Sequence, residues 1–297
     1  MKGAGAIARC REPGEIHMQN GQPSRTALAA AVQRAAHQTL DGASIFRDPT
    51  ARIVLGREAD ALIDAVAADP AQRQMRIFLA ARSRFAEDCL GAAVARGVRQ
   101  LVVLGAGLDT FSLRNPHAAL GLRIFEVDHP ATQAWKRERL KEACFAVPET
   151  LTFTPVDFAC QSLAEQLEAA GFLPAQPAFF CWLGVLPYLP REAISAILGY
   201  IAGLPGSEVV FDYSEPLENY SAERRANVAA VAARTAAIGE PWLSYFDPAE
   251  IAKDLREHGF SELEDLGLFD IAVRYLGTPA GRPTVDAGPH LIRARRL

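Results

Sequence analysis

The stretch Leu101–Thr110, LVVLGAGLDT, decides how this 297-residue chain is read. Its first half is a short apolar, β-branched run that closes on glycines, the pattern of a strand buried on both faces of a parallel sheet. Gly105, Ala106 and Gly107 then leave little side chain at the turn, so backbone N–H groups can approach a cofactor closely. The next strand-like run, RIFEVD (Arg123–Asp128), ends on an acid 21 residues after Gly107. At that spacing a carboxylate can bind the two hydroxyls of a ribose. Glu126 lies two residues earlier on the same strand face and could share the ribose or face a polar rim.

A dinucleotide fingerprint would place glycine where Thr110 stands, so that a helix packs tightly and its N-terminus holds a pyrophosphate. Here Leu108 and Asp109 follow the second glycine, and the Asp109 carboxylate would repel a pyrophosphate. A nucleoside without phosphates escapes that repulsion. S-adenosylmethionine (SAM), an adenosine bearing a sulfonium and an amino acid, is such a ligand, and it is favoured over NAD(P). A further strand-like run, LTFTPVDF (Leu151–Phe158), puts Asp157 at a strand tip near the adenine end, where a carboxylate can accept from the exocyclic amine and Phe158 can add an apolar wall. Both Asp128 and Asp157 could instead cap the helices that follow them.

Outward from this motif the chain alternates strand and helix. Ala178–Val185 and Ser207–Tyr213 read as two more parallel strands, with helical stretches over Pro130–Ala146, Gln161–Ala170 and Arg191–Ala202. Leu217–Ile238 reads as helical, and Asp247-Pro248 opens another helix ending near Gly259. Asp270–Leu276 and His290–Arg295 are read as two late strands closing as an antiparallel hairpin. Before the motif, Ser24 caps an Ala-rich helix, Asp48-Pro49 opens a segment through Leu55, and Asp69-Pro70 precedes a long helix over Ala71–Arg96. The expectation is one α/β domain: a flexible leader over 1–23, a helical N-terminal cap over 24–98 and a Rossmann-like core over 99–297 with a seven-stranded sheet.

Composition narrows the function classes. Lys and Arg number 31 against 35 Asp and Glu, a net charge of -4, so nucleic acid is not an expected partner. No apolar run reaches the roughly 18–20 residues of a membrane helix. Cys10, Cys89, Cys144, Cys160 and Cys181 are odd in number and form no CxxC pair, which reads as free thiols in a reducing cytoplasm rather than disulfides or zinc. The histidines show no metal-ligand spacing.

The segments LGAGLDT, FEVDHPATQAWKRERL, LTFTPVDF and WLGVLPYLP, with SRTALAAAVQRA and FRDPTA upstream, resemble the leucine carboxyl methyltransferase family. The resemblance runs from about Ser24 to Tyr213. It implies the class I SAM-dependent methyltransferase fold with one antiparallel hairpin, and SAM as cofactor. It also implies that Arg82, in FLAARSRF, binds the methionine carboxylate, with Arg84 as second choice. Gly105 matches the family's loop glycine, Asp128 its ribose acid, and Asp157 with Phe158 its adenine pair. Arg34 is the nearest match to a basic residue of the first helix. One departure stands out: the family's usual glutamate at the end of the fourth strand is Leu183 here.

The activity expected is O-methyl transfer to a small carboxylic acid. A carboxylate is already ionised at neutral pH and needs no base. Arg25, Arg34, Tyr188 and Tyr213 are candidates to orient it, with Tyr188 and Tyr213 equally readable as core aromatics. A hydroxyl acceptor would need a base, for which His129 is the candidate; the plainer reading of His129 is a helix N-terminal position in solvent. An NAD(P)-dependent oxidoreductase and a SAM-binding protein without turnover, suggested by Leu183, are the remaining alternatives.

Overall fold

A computed structural model describes residues 24–158, 161–278 and 287–297. The leader, Cys10, Cys160 and most of the link before His290 lie outside the described residues.

Ser24 caps α1 (Arg25–Leu40), its hydroxyl accepting from Ala27 N–H at 3.2 Å. After α2 (Ala59–Ala67) comes α3 (Gln72–Ala95), the long helix that Asp69-Pro70 announced. The alternating core then runs β1 (Gln100–Leu104), β2 (Arg123–Asp128), α4 (Pro130–Glu142), β3 (Leu151–Pro155), α5 (Leu163–Ala169), β4 (Phe179–Trp182), α6 (Arg191–Gly203) and β5 (Glu208–Ser214). The end of the chain supplies α7 (Ala222–Ala237), α8 (Pro248–Glu257), β6 (Glu262–Leu266), α9 (Leu268–Tyr275) and β7 (Pro289–Arg295).

The seven strands form one sheet in the order β3-β2-β1-β4-β5-β7-β6. The first five are parallel, and β7 runs antiparallel to both β5 and β6. This is the α/β class I methyltransferase architecture that the resemblance implied. The count of seven holds, but the sixth strand is displaced. Asp270–Leu276, expected as a strand, falls mostly within helix α9, and ELEDL (Glu262–Leu266) is the strand. The reason lies in the start of α9, where Asp270 accepts from Gly267 N–H at 3.2 Å and Ile271 packs inward. On β7, Arg293 and Arg295 ion-pair across strands with Glu208 and Glu262, and Glu208 is 1% exposed.

Three apolar clusters fill the layers. Phe180, Trp182 and Phe211 face α5, α6 and α8 on one side of the sheet. Leu101, Val103 and Phe179 face Phe85 and Leu90 of α3 on the other. The third joins Val32 of α1 and Ile63 of α2 to Leu140 of α4. The C-terminal tips of the five parallel strands share one edge, and the strand order reverses between β1 and β4. In such sheets that edge is where ligands bind.

Candidate active site

The glycine loop follows β1 directly. Gly105 has φ +62°, and a Cβ built there would lie 2.5 Å from Cγ2 of Val185, just past β4. Only glycine lets the loop lie this close to the β4 tip. Gly107 has φ +49°, and a Cβ there would lie 3.1 Å from the Ala27 methyl. Helix α1 therefore rests on the loop from above, and Arg34 of α1 donates to Leu108 O at 2.5 Å. Ala106 N–H is spent on Val127 O.

Asp128 ends β2 beside this loop. Its carboxylate accepts from Gly107 N–H and, at 2.6 Å, from His129 N–H. Burial pushes its pKa up, against the pull of those two N–H groups. His129 is the N-cap of α4: its Nδ1 accepts from Ala131 N–H at 3.2 Å. The N-terminal helix position is as the plain reading had it, but the side chain is half-buried rather than left in solvent. Glu126 turns away from the loop. Lys136 Nζ and Ser112 Oγ, each at 2.6 Å, hold it where it is 1% exposed, so it stiffens the segment after the loop instead of sharing a ligand. Lys136 also donates to Asp109 O at 2.5 Å.

After Gly107 the chain makes only two short 3₁₀ turns, Phe111–Leu113 and Ala118–Leu120, and the next α-helix is α4. A pyrophosphate would find no helix N-terminus beside the glycines, which counts against the oxidoreductase alternative. Thr110, where the third glycine would stand, donates its hydroxyl to Asp48, so FRDPTA and GAGLDT meet in space. Asp48 caps the turn after Pro49 by accepting from Thr50 N–H at 3.1 Å, and beyond that role it is a buried hub, 1% exposed, that also holds Arg114 Nε at 3.2 Å. Burial raises its pKa, but Arg34, Arg114 and the Thr110 and Thr50 hydrogen bonds together hold it below the usual value of 3.8.

The β4 and β5 tips carry the second half of the site. Arg82, on α3, is 8% exposed and donates through Nη1 to Asp212 Oδ2 at 2.9 Å. Asp212 Oδ1 accepts from Gly184 N–H at 2.6 Å. Arg82 Nε is buried without a hydrogen-bond partner. Gly184 has φ +71°, and a Cβ there would meet Arg82 Nη1 at 2.7 Å. Arg84, two positions on, pairs with Asp88 at 2.7 Å on the surface instead. Asp212 was missed in the sequence: an acid inside FDYS reads as a strand polar residue until its partner 130 residues upstream is placed. Leu183 packs into the cluster beneath α3 and lines a small cavity there together with Ser83, Glu87 and Cys181.

Beyond β4, Tyr188 lies beside Thr26 and Trp242. Burial pushes its phenol above the ordinary value of 10.0, although Trp242 and Thr26 pull the other way. Trp242 Nε1 is buried and makes no hydrogen bond of good geometry, although its N–H acts on the Tyr188 oxygen beside it. Glu240 closes this corner. Its carboxylate accepts from Arg25 N–H at 3.0 Å, Thr26 N–H at 3.3 Å and Ser24 Oγ at 3.1 Å, and also from the Thr26 hydroxyl. It therefore caps the N-terminus of α1 from 215 residues away. The Arg25 side chain is exposed.

Asp157 N–H donates to Gln161 Oε1 at 2.8 Å past the β3 tip, and Phe158 stands 47% exposed there. Tyr213 points to the opposite sheet face from Asp212. It is 2% exposed, its hydroxyl donates to Asp265 Oδ2 at 2.6 Å, and its ring stacks on His290 at 4.8 Å. Among the described residues no cluster of His, Cys, Asp and Glu is arranged to hold a metal, and no helix is long and apolar enough to cross a membrane.

Two observations fit an adenosine with an amino-acid tail: the strand-tip acid beside Gly107 and the unpartnered Nε of Arg82. Comparison with known proteins agrees. YktD of Bacillus subtilis (strain 168), named as an S-adenosyl-L-methionine-dependent methyltransferase, is 32% identical over 280 residues, 86% of this chain and 91% of its own. A protein of the same description from Parafrankia sp. (strain EAN1pec) is 33% identical over 69% of this chain and 67% of its own. In fold the chain is similar to a DUF574 family protein of Streptomyces avermitilis MA-4680, with TM-score 0.55 and 17% identity over 95% of this chain and all of that one. The family model described as leucine carboxyl methyltransferase matches residues 27–202. The chain belongs to the leucine carboxyl methyltransferase family.

Proposed function

We propose that this SAM-dependent methyltransferase esterifies a carboxylate of a small molecule. The observation that carries the reading is the set of groups at the β4 tip. They are donors without a free base. Tyr188 is a phenol whose pKa burial raises above 10.0, so it is a donor at neutral pH, and the Trp242 Nε1–H beside it is a second. His129 Nδ1 is spent on a helix cap, and Glu240 is filled by the first turn of α1. An anionic acceptor needs donors to hold it and no base to activate it.

On this reading Asp128 takes the ribose hydroxyls, Asp157 and Phe158 the adenine, and Arg82 the methionine carboxylate. Gly105 and Gly107 let the loop backbone that would face the cofactor lie close to Val185 and Ala27. Bound SAM supplies a methyl group already activated by the sulfonium. What the chain adds is alignment: Tyr188 and Trp242 hold the acceptor oxygen on the line of attack, with Arg25 at the rim. Arg34 holds the loop from above. Helices α1 and α2, within the cap at 24–98, shield the reaction from water, and the core at 99–297 carries it out. Alignment of this kind can contribute about 7–11 kcal/mol.

A screen of small carboxylic acids with SAM, read as methyl ester by mass spectrometry, tests the activity; no ester from any acid favours binding without turnover. A pH–rate profile on the best acid then tests the acceptor class. The carboxylate reading expects the rate to persist below neutral pH, down towards the acceptor's own pKa, and His129→Ala to keep most of the turnover. A fall with a midpoint at about pH 6–7 in the wild type, lost together with activity in the variant, would establish a base-dependent hydroxyl acceptor instead.

A further inference from the structure

The cofactor ends in a zwitterion, an α-carboxylate beside an α-ammonium. The structure places a buried cation and a buried anion side by side at the β4 and β5 tips, one residue from Val185, which underlies the glycine loop. From this arrangement we infer that Asp212 is the subsite for the α-ammonium and that the Arg82–Asp212 pair reads the amino-acid end as a unit. The inference rests on the cofactor reading above and extends it to a residue the sequence did not suggest.

The argument is one of hydrogen-bond capacity. A carboxylate offers about four lone-pair sites, and two of those on Asp212 are used, by Arg82 Nη1 at 2.9 Å and Gly184 N–H at 2.6 Å. The remainder can accept from an ammonium, which carries three donors and no acceptor. Arg82 stands in the converse position. Its Nη1 is spent on Asp212, yet its Nε is buried with no partner, a state that normally implies a missing acceptor. Gly184 permits the approach, because any side chain there would collide with Arg82. Both charges are about 10% exposed, so water competes weakly for either. A ligand with both charges satisfies both residues. A ligand with the carboxylate alone leaves Asp212 short of a donor and adds an anion beside it.

Calorimetry with two probes tests this: S-adenosylhomocysteine, and its analogue in which 4-mercaptobutyrate replaces homocysteine, removing only the amine. The wild type should bind S-adenosylhomocysteine on the order of tenfold or more tighter than the analogue. Asp212→Asn, which can still accept from Gly184, should lower S-adenosylhomocysteine affinity by about the same factor and leave the analogue within about twofold. Equal affinity of the wild type for the two probes would overturn the inference whether or not the variant folds. So would an equal loss of both probes in Asp212→Asn, because Asp212 would then act only by holding Arg82. No binding of S-adenosylhomocysteine to the wild type would overturn the cofactor reading itself.

Discussion

Replacing Gly105 by alanine isolates how closely the β1 and β4 tips are built together. The new methyl would sit 2.5 Å from Val185 Cγ2, where carbon atoms normally rest about 3.5–4.0 Å apart. Crowding of this kind in a packed site costs about 1–3 kcal/mol. The backbone adds a separate cost: φ is +62°, and a side chain in the left-handed region costs about 1–2 kcal/mol. Together the loss is about 2–5 kcal/mol. With an unfolding entropy of about 2.1 cal/mol/K per residue, that corresponds to a fall in Tm of roughly 3–8 °C for a chain of this size. The two costs are separable. Val185→Ala removes the methyl that collides but leaves φ unchanged. In a double-mutant cycle read by calorimetry, Gly105→Ala should be less harmful in the Val185→Ala background by about 1–3 kcal/mol. S-adenosylhomocysteine affinity, lost by about tenfold or more in Gly105→Ala as the loop shifts off the β4 tip, should recover in part. Simple additivity of the two substitutions would refute the claim that these tips touch, and with it the placement of the loop.

Three further outcomes follow from other contacts. Asp128→Ala should weaken S-adenosylhomocysteine by roughly 1.5–3 kcal/mol, the value of a charge-assisted hydrogen bond, and unchanged affinity would remove it from the ribose. Asp48→Ala should cost about 1–3 kcal/mol in chemical denaturation, because it leaves the buried Thr110 hydroxyl without its acceptor, while Arg114 keeps its ion pair with Glu87. The folded pKa of Asp48 lies below 3.8, so its contribution is present above that value and lost as pH falls through the lowered one; the gap between wild type and variant should close there. His290 behaves in the opposite sense. Burial lowers its pKa, but Asp265 at 2.9 Å and Glu215 at 3.1 Å prevail and raise it above 6.5. Its contribution is complete below 6.5 and lost as pH rises through the raised value, so the stability gap to His290→Gln should shrink in that range.

The central strands were legible because β1 and β4 are buried and read as short apolar runs, with β2 and β5 largely so. The exception is instructive. Strand β6, ELEDL, is an edge strand that faces Arg293 and Arg295, so it reads as polar. Helix α9 next to it contains Ile271 and Val273, which suggest a strand, although Leu268, Ile271, Ala272 and Tyr275 keep helical spacing. Asp128 and Gly105 could be found because their roles depend on positions close in sequence, a strand tip and the turn it meets. Asp212, Asp48 and Glu240 could not. A lone carboxylate in a strand, after a turn or before a proline says nothing about which distant donor it will meet, and their partners lie 130, 62 and 215 residues away.

The cap that Glu240 places on α1 imposes an order on synthesis. The ribosome makes the first turn of α1 early and its capping acid 215 residues later, on the order of 10–40 s at 5–20 residues per second. A 16-residue helix without such support is only marginally stable in water. During that interval the glycine loop, β2 and β4 emerge with their cover not yet fastened by Glu240. The cover is therefore fastened only after β1 to β5 have been made, by a residue between α7 and α8, and a nascent chain arrested before residue 240 would keep the first N–H groups of α1 without their carboxylate.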